Sequence, residues 1–151
     1  MKYNLEDILP HNHPMILIDD INEINLKEGY ITAYVTIRED NLFYEKSLDG
    51  VSSLVGIEFM AQTIACYSYF KNGENPPKIG FLLGTRLYKS NIEKFERGKK
   101  YNIRAKEIYC DNELVSFECL IYNEDMECAS AVVNAYQPQD ASEFLNSGVL
   151  G

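Results

Sequence analysis

Leu54-Val55-Gly56-Ile57-Glu58-Phe59-Met60-Ala61-Gln62-Thr63-Ile64-Ala65-Cys66-Tyr67-Ser68-Tyr69-Phe70 is apolar at nearly every position. A run of this length reads as a helix rather than a strand, and one that is apolar on nearly every side has to lie inside the molecule. Besides Thr63, Ser68 and the tyrosine hydroxyls, its only polar groups are Glu58 and Gln62, one helical turn apart and therefore on one face. The run predicts that Glu58 is buried with the helix. An ionised carboxylate buried without partners costs several kcal/mol, comparable with the stability of a whole domain. Glu58 is therefore expected to be neutral, paired or chemically employed; the alternative is a structural carboxylate satisfied by backbone amides.

Outward from this run the boundaries are readable. Asp49, Ser52 or Ser53 can accept the first free amide protons, which starts the helix near Ser53. It runs to about Lys71, where Asn72-Gly73 tolerates positive φ and Pro76-Pro77 prevents continuation. Before it, residues 15–24 and 29–37 have strand composition, with a turn at Lys27-Glu28-Gly29. After it, residues 79–88, 101–110, 114–122 and 126–136 alternate or are largely apolar, and read as an antiparallel meander. A lone apolar helix between antiparallel strands is satisfied by a curved sheet wrapped around it, an α+β hotdog fold. Residues 1–137 are expected to form one such domain, followed by a weakly patterned tail over 138–151.

Length and composition agree with a single domain: 151 residues are enough for one core. No uninterrupted apolar run could cross a bilayer, and Met1-Lys2-Tyr3-Asn4-Leu5-Glu6-Asp7 lacks the pattern of a signal peptide, so a cytoplasmic protein without a membrane partner is expected. Cys66, Cys110, Cys119 and Cys128 are scattered and have no nearby histidine, which predicts reduced core thiols and no metal; a Cys119–Cys128 pairing across strands is the alternative. The net charge of −9 disfavours nonspecific nucleic-acid binding. Even so, eight of the fourteen basic residues fall between Arg86 and Lys106. That stretch reads either as a dock for an acidic partner or as a solvated turn around Gly98 between strands with basic outer faces.

Two motifs carry a family resemblance. Leu9-Pro10-His11-Asn12-His13-Pro14-Met15-Ile16-Leu17-Ile18-Asp19 resembles the Leu-Pro-His-x-x-Pro-aliphatic-Asp start of FabZ-type 3-hydroxyacyl-ACP dehydratases, and Glu58-Phe59-Met60-Ala61-Gln62 resembles the Glu-Ala-Met-Ala-Gln of their central helix. Asp49-Gly50, Gly56-Ile57-Glu58 and Gly80-Phe81-Leu82-Leu83-Gly84-Thr85-Arg86 bring the chain closest to the ApeP-like branch, which is found with aryl polyene pathways. The resemblance implies a hotdog dimer that binds a phosphopantetheine-linked acyl substrate on acyl carrier protein, in a tunnel between subunits. The dimer would be a homodimer or a heterodimer with another hotdog subunit, working in fatty acid or polyene biosynthesis without a cofactor.

Dehydration needs a base for the α-proton and an acid for the departing hydroxyl. Glu58 matches the acid of the family; burial of a carboxyl favours the neutral form this role requires. Gln62 and Gly56 are candidate substrate-binding residues. The loop histidine that serves as base in FabZ-type enzymes is missing, and an ungapped count from Glu58 to its position lands on Tyr44, a poor base but a candidate for lining the site. His11 is the candidate replacement, with a structural role in holding the N-terminal segment as its alternative; His13 reads as an exposed loop residue. Arg86, Lys99 and Lys100 are candidates for carrier-protein docking. Two other functions stay open on sequence: a hotdog thioesterase in which Glu58 activates water, and a catalytically silent subunit completing a partner dehydratase.

Overall fold

The computed structural model describes residues 3–9, 15–74, 82–111 and 114–136. In chain order these form α1 (Leu5–Ile8), β1 (Asp20–Asn25), β2 (Tyr30–Thr36), β3 (Tyr44–Glu45), β4 (Gly50–Ser52), α2 (Gly56–Lys71), β5 (Leu82–Ser90), β6 (Lys94–Glu96), β7 (Lys100–Asp111), β8 (Leu114–Asn123) and β9 (Met126–Tyr136). Six strands make one antiparallel sheet in the order β1-β2-β7-β8-β9-β5, and α2 packs on its inner face. This is the hotdog arrangement that the apolar helix predicts.

Alternation explains why these segments are strands and which way they face. Along β2, Ile31, Ala33 and Val35 point inward while Tyr30, Thr32, Tyr34 and Thr36 point outward. Tyr101, Ile103 and Ala105 of β7, Phe117, Cys119 and Ile121 of β8, and Ala129, Ala131, Val133 and Ala135 of β9 complete the inner face. Against them α2 buries Phe59, Met60, Thr63, Ile64, Cys66 and Tyr67. Each large side chain taken fully out of water contributes about 1.5–3 kcal/mol, which offsets the entropy of ordering the chain.

The helix boundaries have local causes. The Ser52 hydroxyl accepts the Leu54 amide proton and starts a single 3-10 turn over Ser53–Val55, which feeds directly into α2. Serine rather than Asp49 is therefore the cap. At the other end the Asn72 amide returns to the Ser68 carbonyl, and Gly73, at φ +71°, turns the chain away.

Four expectations need correction. Residues 15–19 lie outside the sheet, and β1 begins at Asp20, because the backbone of Asp19 and Asp20 is the first to pair with a neighbouring strand. The strands after the helix are not one meander: β7, β8 and β9 are consecutive neighbours, whereas β5 pairs with β9 at the far edge. A second, three-stranded sheet, β3-β4-β6, closes the end of α2; its strands of two and three residues are too short for any periodicity to reveal. Phe95 on β6 plugs it into the core, with its ring 5.3 Å from Phe59 and 4.9 Å from Tyr101. Finally, Cys66, Cys119 and Cys128 are buried free thiols, as expected, but Cys110 is exposed near the far end of β7, where its sulfur lies 3.8 Å from the Lys71 ammonium. Burial pushes the thiols of Cys66 and Cys119 up to about 12, the behaviour of inert core cysteines. The tail over 138–151 lies outside the described residues.

Candidate functional site

Glu58 does not go into the core with its helix. It is exposed in this chain, and its carboxyl makes no hydrogen bond or ion pair among the described residues. The reason is geometric: the sheet covers the stripe carrying Phe59, Met60, Thr63 and Ile64, whereas Leu54, Ile57, Glu58 and Ala61 fall on the opposite stripe of the same helical surface. Leu54 is 72% exposed there. The other comparably bare apolar side chain among the described residues is Leu87, 73% exposed, at φ +55° in the bulge of edge strand β5. A largely buried helix is thus left partly uncovered near its start, with one carboxyl in its first turn on the open side.

Gln62, one turn further on, is 5% exposed. A buried amide left unsatisfied costs about 1–3 kcal/mol, so its partners matter. Its Oε1 accepts the Leu17 amide proton and its Nε2 donates to the Met15 carbonyl, both at 2.8 Å. The proton bookkeeping fixes which end is oxygen, since a backbone amide only donates and a carbonyl only accepts. The substrate-binding role read from sequence therefore meets a side chain already engaged with the N-terminal motif.

Gly56 is buried, and a Cβ there would collide with the Tyr88 hydroxyl and stand 3.1 Å from both Phe95 and Ile121. That hydroxyl donates to the Ser53 carbonyl at the helix entry, and burial pushes the phenol up to about 12. Only glycine allows this close approach, so Gly56 admits Tyr88 to the helix start.

Tyr44, at the position of the missing histidine, is tied down. Its hydroxyl donates to Asp49 Oδ1 at 2.7 Å, while Arg97 donates from Nε (2.6 Å) and Nη2 (3.3 Å) to the two oxygens of the same carboxylate. The hydrogen bond to Asp49 holds the Tyr44 phenol above its usual range. This three-residue lock, spanning β3, the turn before β4 and the turn after β6, has no signal in the sequence because its members are 5 and 48 residues apart.

His11 and His13 lie outside the described residues. The segment that follows them, with Leu5, lines a cleft of about 380 Å³ whose other wall holds Thr36, Arg38 and Leu42. Asp19 sits in that cleft, accepting the Thr36 amide proton at 2.8 Å and an Arg38 guanidinium proton at 3.2 Å. Of the docking candidates, Lys99 is ion-paired with Glu96, Lys100 places its ammonium 4.3 Å from the centre of the Tyr34 ring, and the Arg86 side chain is not among those described. Among the described residues no cluster could hold a metal ion, and no helix is long and apolar enough to cross a membrane.

The Asp49 lock has a measurable signature. Arginine first, then the Tyr44 hydroxyl, holds the Asp49 carboxyl down from 3.8 to about 2. A depressed carboxyl contributes stability above its unfolded value that is lost as pH falls through the folded one. In a side-chain carboxyl NMR titration Asp49 is expected to turn over near 2 in the wild type and to move up toward 3.8 in Arg97→Met. A wild-type midpoint already at the ordinary value would contradict the lock.

Comparisons with known proteins fit this geometry. The chain superimposes on a chain of the dehydratase heterocomplex ApeI:P from Xenorhabdus doucetiae with a TM-score of 0.84, 23% identity and 99% coverage of each chain. More distant likenesses are the PaaI protein of the E. coli phenylacetic acid degradation operon (TM-score 0.60, 10% identity, 78% and 82% coverage) and the acetyl-CoA-bound smu.793 protein of Streptococcus mutans (TM-score 0.56, 12% identity, 84% and 95% coverage). No curated protein matches the sequence. Residues 3–146 match the family described as ApeP dehydratase, and the chain belongs to this ApeP-like dehydratase family.

Proposed function

We propose that this chain acts in the dehydration of a 3-hydroxyacyl thioester carried on acyl carrier protein, with Glu58 as the acid. One observation carries the proposal: a carboxyl with no partner among the described residues, in the first turn of α2, framed by the apolar side chains of Leu54, Ile57 and Ala61. In the reaction a base takes the α-proton, the bond from C3 to the hydroxyl breaks, and the acid gives its proton to the departing oxygen, leaving an enoyl thioester and water. A dry pocket favours the protonated carboxyl that this role needs.

This chain does not supply that dry pocket alone, and a second hotdog subunit, identical or homologous, completes it. The unpaired edge of β5 and the bare Leu54 and Leu87 support such a contact, and the similar ApeI:P protein is itself a heterocomplex. The base is either His11 or a group of the partner. The Tyr44–Asp49–Arg97 lock favours the partner, because it leaves the usual base position filled by a phenol that is held above its ordinary range. We read the reaction as a step of polyene or fatty acid biosynthesis in the cytoplasm, with no cofactor.

Water loss from a 3-hydroxyacyl-ACP, followed by mass spectrometry, tests the proposal with the chain alone and with a second hotdog protein from the same host. Glu58→Gln is expected to abolish turnover by at least 10²-fold. Loss in His11→Ala as well, with the chain alone active, assigns the base to His11; activity only on adding the second protein assigns it to the partner. Full turnover by Glu58→Gln in both settings would sink the proposal.

The carrier protein is proposed to dock near Lys99, Lys100 and Arg86, since carrier proteins are acidic and these residues lie in the basic stretch. Lys99→Glu with Lys100→Glu is expected to weaken carrier binding at low salt, with the difference shrinking as salt rises. Unaltered binding at low salt would remove these two lysines from the dock.

A further inference from the structure

We infer that Gln62 is a positioning residue that stands in for a missing β-strand and fixes residues 15–18 against α2, one helical turn from Glu58. The inference deepens the dehydratase reading and rests on it for its kinetic arm.

Residues 15–19 precede β1 and have no place in the strand ladder. Ile16, Leu17 and Ile18 are nevertheless buried, at 6, 6 and 2% exposure. Buried backbone outside a ladder needs partners for its amide and carbonyl groups. Gln62 gives them: its side-chain amide offers one C=O and one N–H, and it bonds Leu17 N–H and Met15 C=O, residues i+2 and i. That pairing, to the carbonyl of one residue and the amide two residues on, is what one residue of a neighbouring parallel strand would offer. Further along, the Asp19 amide donates to the Tyr34 carbonyl at 2.8 Å and regular pairing begins. The clamp therefore bridges the gap between the helix and the first ladder bond.

Glutamine is the side chain this position requires. Leucine or methionine would fit the apolar helix but leave both backbone groups bare; an ionised glutamate would accept from Leu17 but oppose the Met15 carbonyl. Because Glu58 and Gln62 are neighbours on the helix surface, a shift of the clamped segment is felt beside the proposed acid. Ile16, Leu17 and Ile18 also line the 380 Å³ cleft, so the same clamp sets one wall of it. Gln62 acts here through the backbone of the N-terminal motif, without touching the reacting atoms.

The experiment compares wild type, Gln62→Leu and Gln62→Glu in the full chain, in whichever assembly the wild type turns over. Gln62→Leu is expected to lower kcat on the order of 10²-fold with KM within about twofold, as misplacement near a reacting centre does. Amide hydrogen exchange should lose protection at Leu17 while Ile64 and Cys66 in α2 keep theirs. In Gln62→Glu the protonated carboxyl donates to Met15 and accepts from Leu17, so its pKa is raised in the folded state. The clamp is then present at acidic pH and lost as pH rises through that value. Acid-restored Leu17 protection in Gln62→Glu, absent in Gln62→Leu at every pH, is the predicted signature. Unchanged Leu17 protection in Gln62→Leu, or a rise in KM at constant kcat, would overturn the inference, the latter in favour of a direct substrate contact. Were the wild type to show no dehydration, the exchange measurement would still decide the clamp while the functional reading fell.

Discussion

Helix α2 is apolar around nearly its whole circumference, and a single sheet can cover only one side of it. Everything else in the molecule follows from that mismatch. The inner residues of β2, β7, β8 and β9 take the stripe of Phe59, Met60, Thr63 and Ile64. The small β3-β4-β6 sheet and Phe95 take the entry of the helix, where Gly56 lets Tyr88 approach. The N-terminal segment takes the side on which Gln62 projects. What remains is a stripe on which Leu54 and Glu58 are exposed and Ile57 and Ala61 half-buried. A surface of that character, next to the edge strand β5, is the one on which the proposed second subunit would close.

Much of this was legible in the sequence, for identifiable reasons. The bounds of β9 are legible to the residue, because Met126 to Tyr136 is largely apolar and follows the turn-forming Asn123-Glu124-Asp125. The central helix was read within a few residues, because serine, glycine and proline punctuate it. Composition gives no hint of partners far away in the chain, and that is where reading failed. The Gln62 bonds span 45 and 47 residues, the Asp49–Arg97 pair spans 48, and the β3, β4 and β6 strands are shorter than one alternation. Glu58 was placed in the core because apolar periodicity says that a helix face leaves water, but not whether its own chain or a second one removes it.

The site is divided between what the helix presents and what holds its surroundings still. Glu58, the proposed acid, has no partner among the described residues, whereas Gln62, Gly56 and Tyr44, grouped with it by motif and position, are each committed to protein contacts. Most residues of the motif can therefore serve to build the proposed site rather than to react in it. The departure at Tyr44 is consistent with this division: a phenol locked to a carboxylate and a guanidinium shapes the loop but offers no base at neutral pH.

The most direct test of the account is carbodiimide labelling of carboxyl groups in the native assembly, read by mass spectrometry. Glu58 is predicted to be protected in the assembly while Glu124, exposed on the turn between β8 and β9, labels fully. Equal labelling of the two carboxyls in an assembly that is active in dehydration would contradict the claim that a second subunit closes over the helix face.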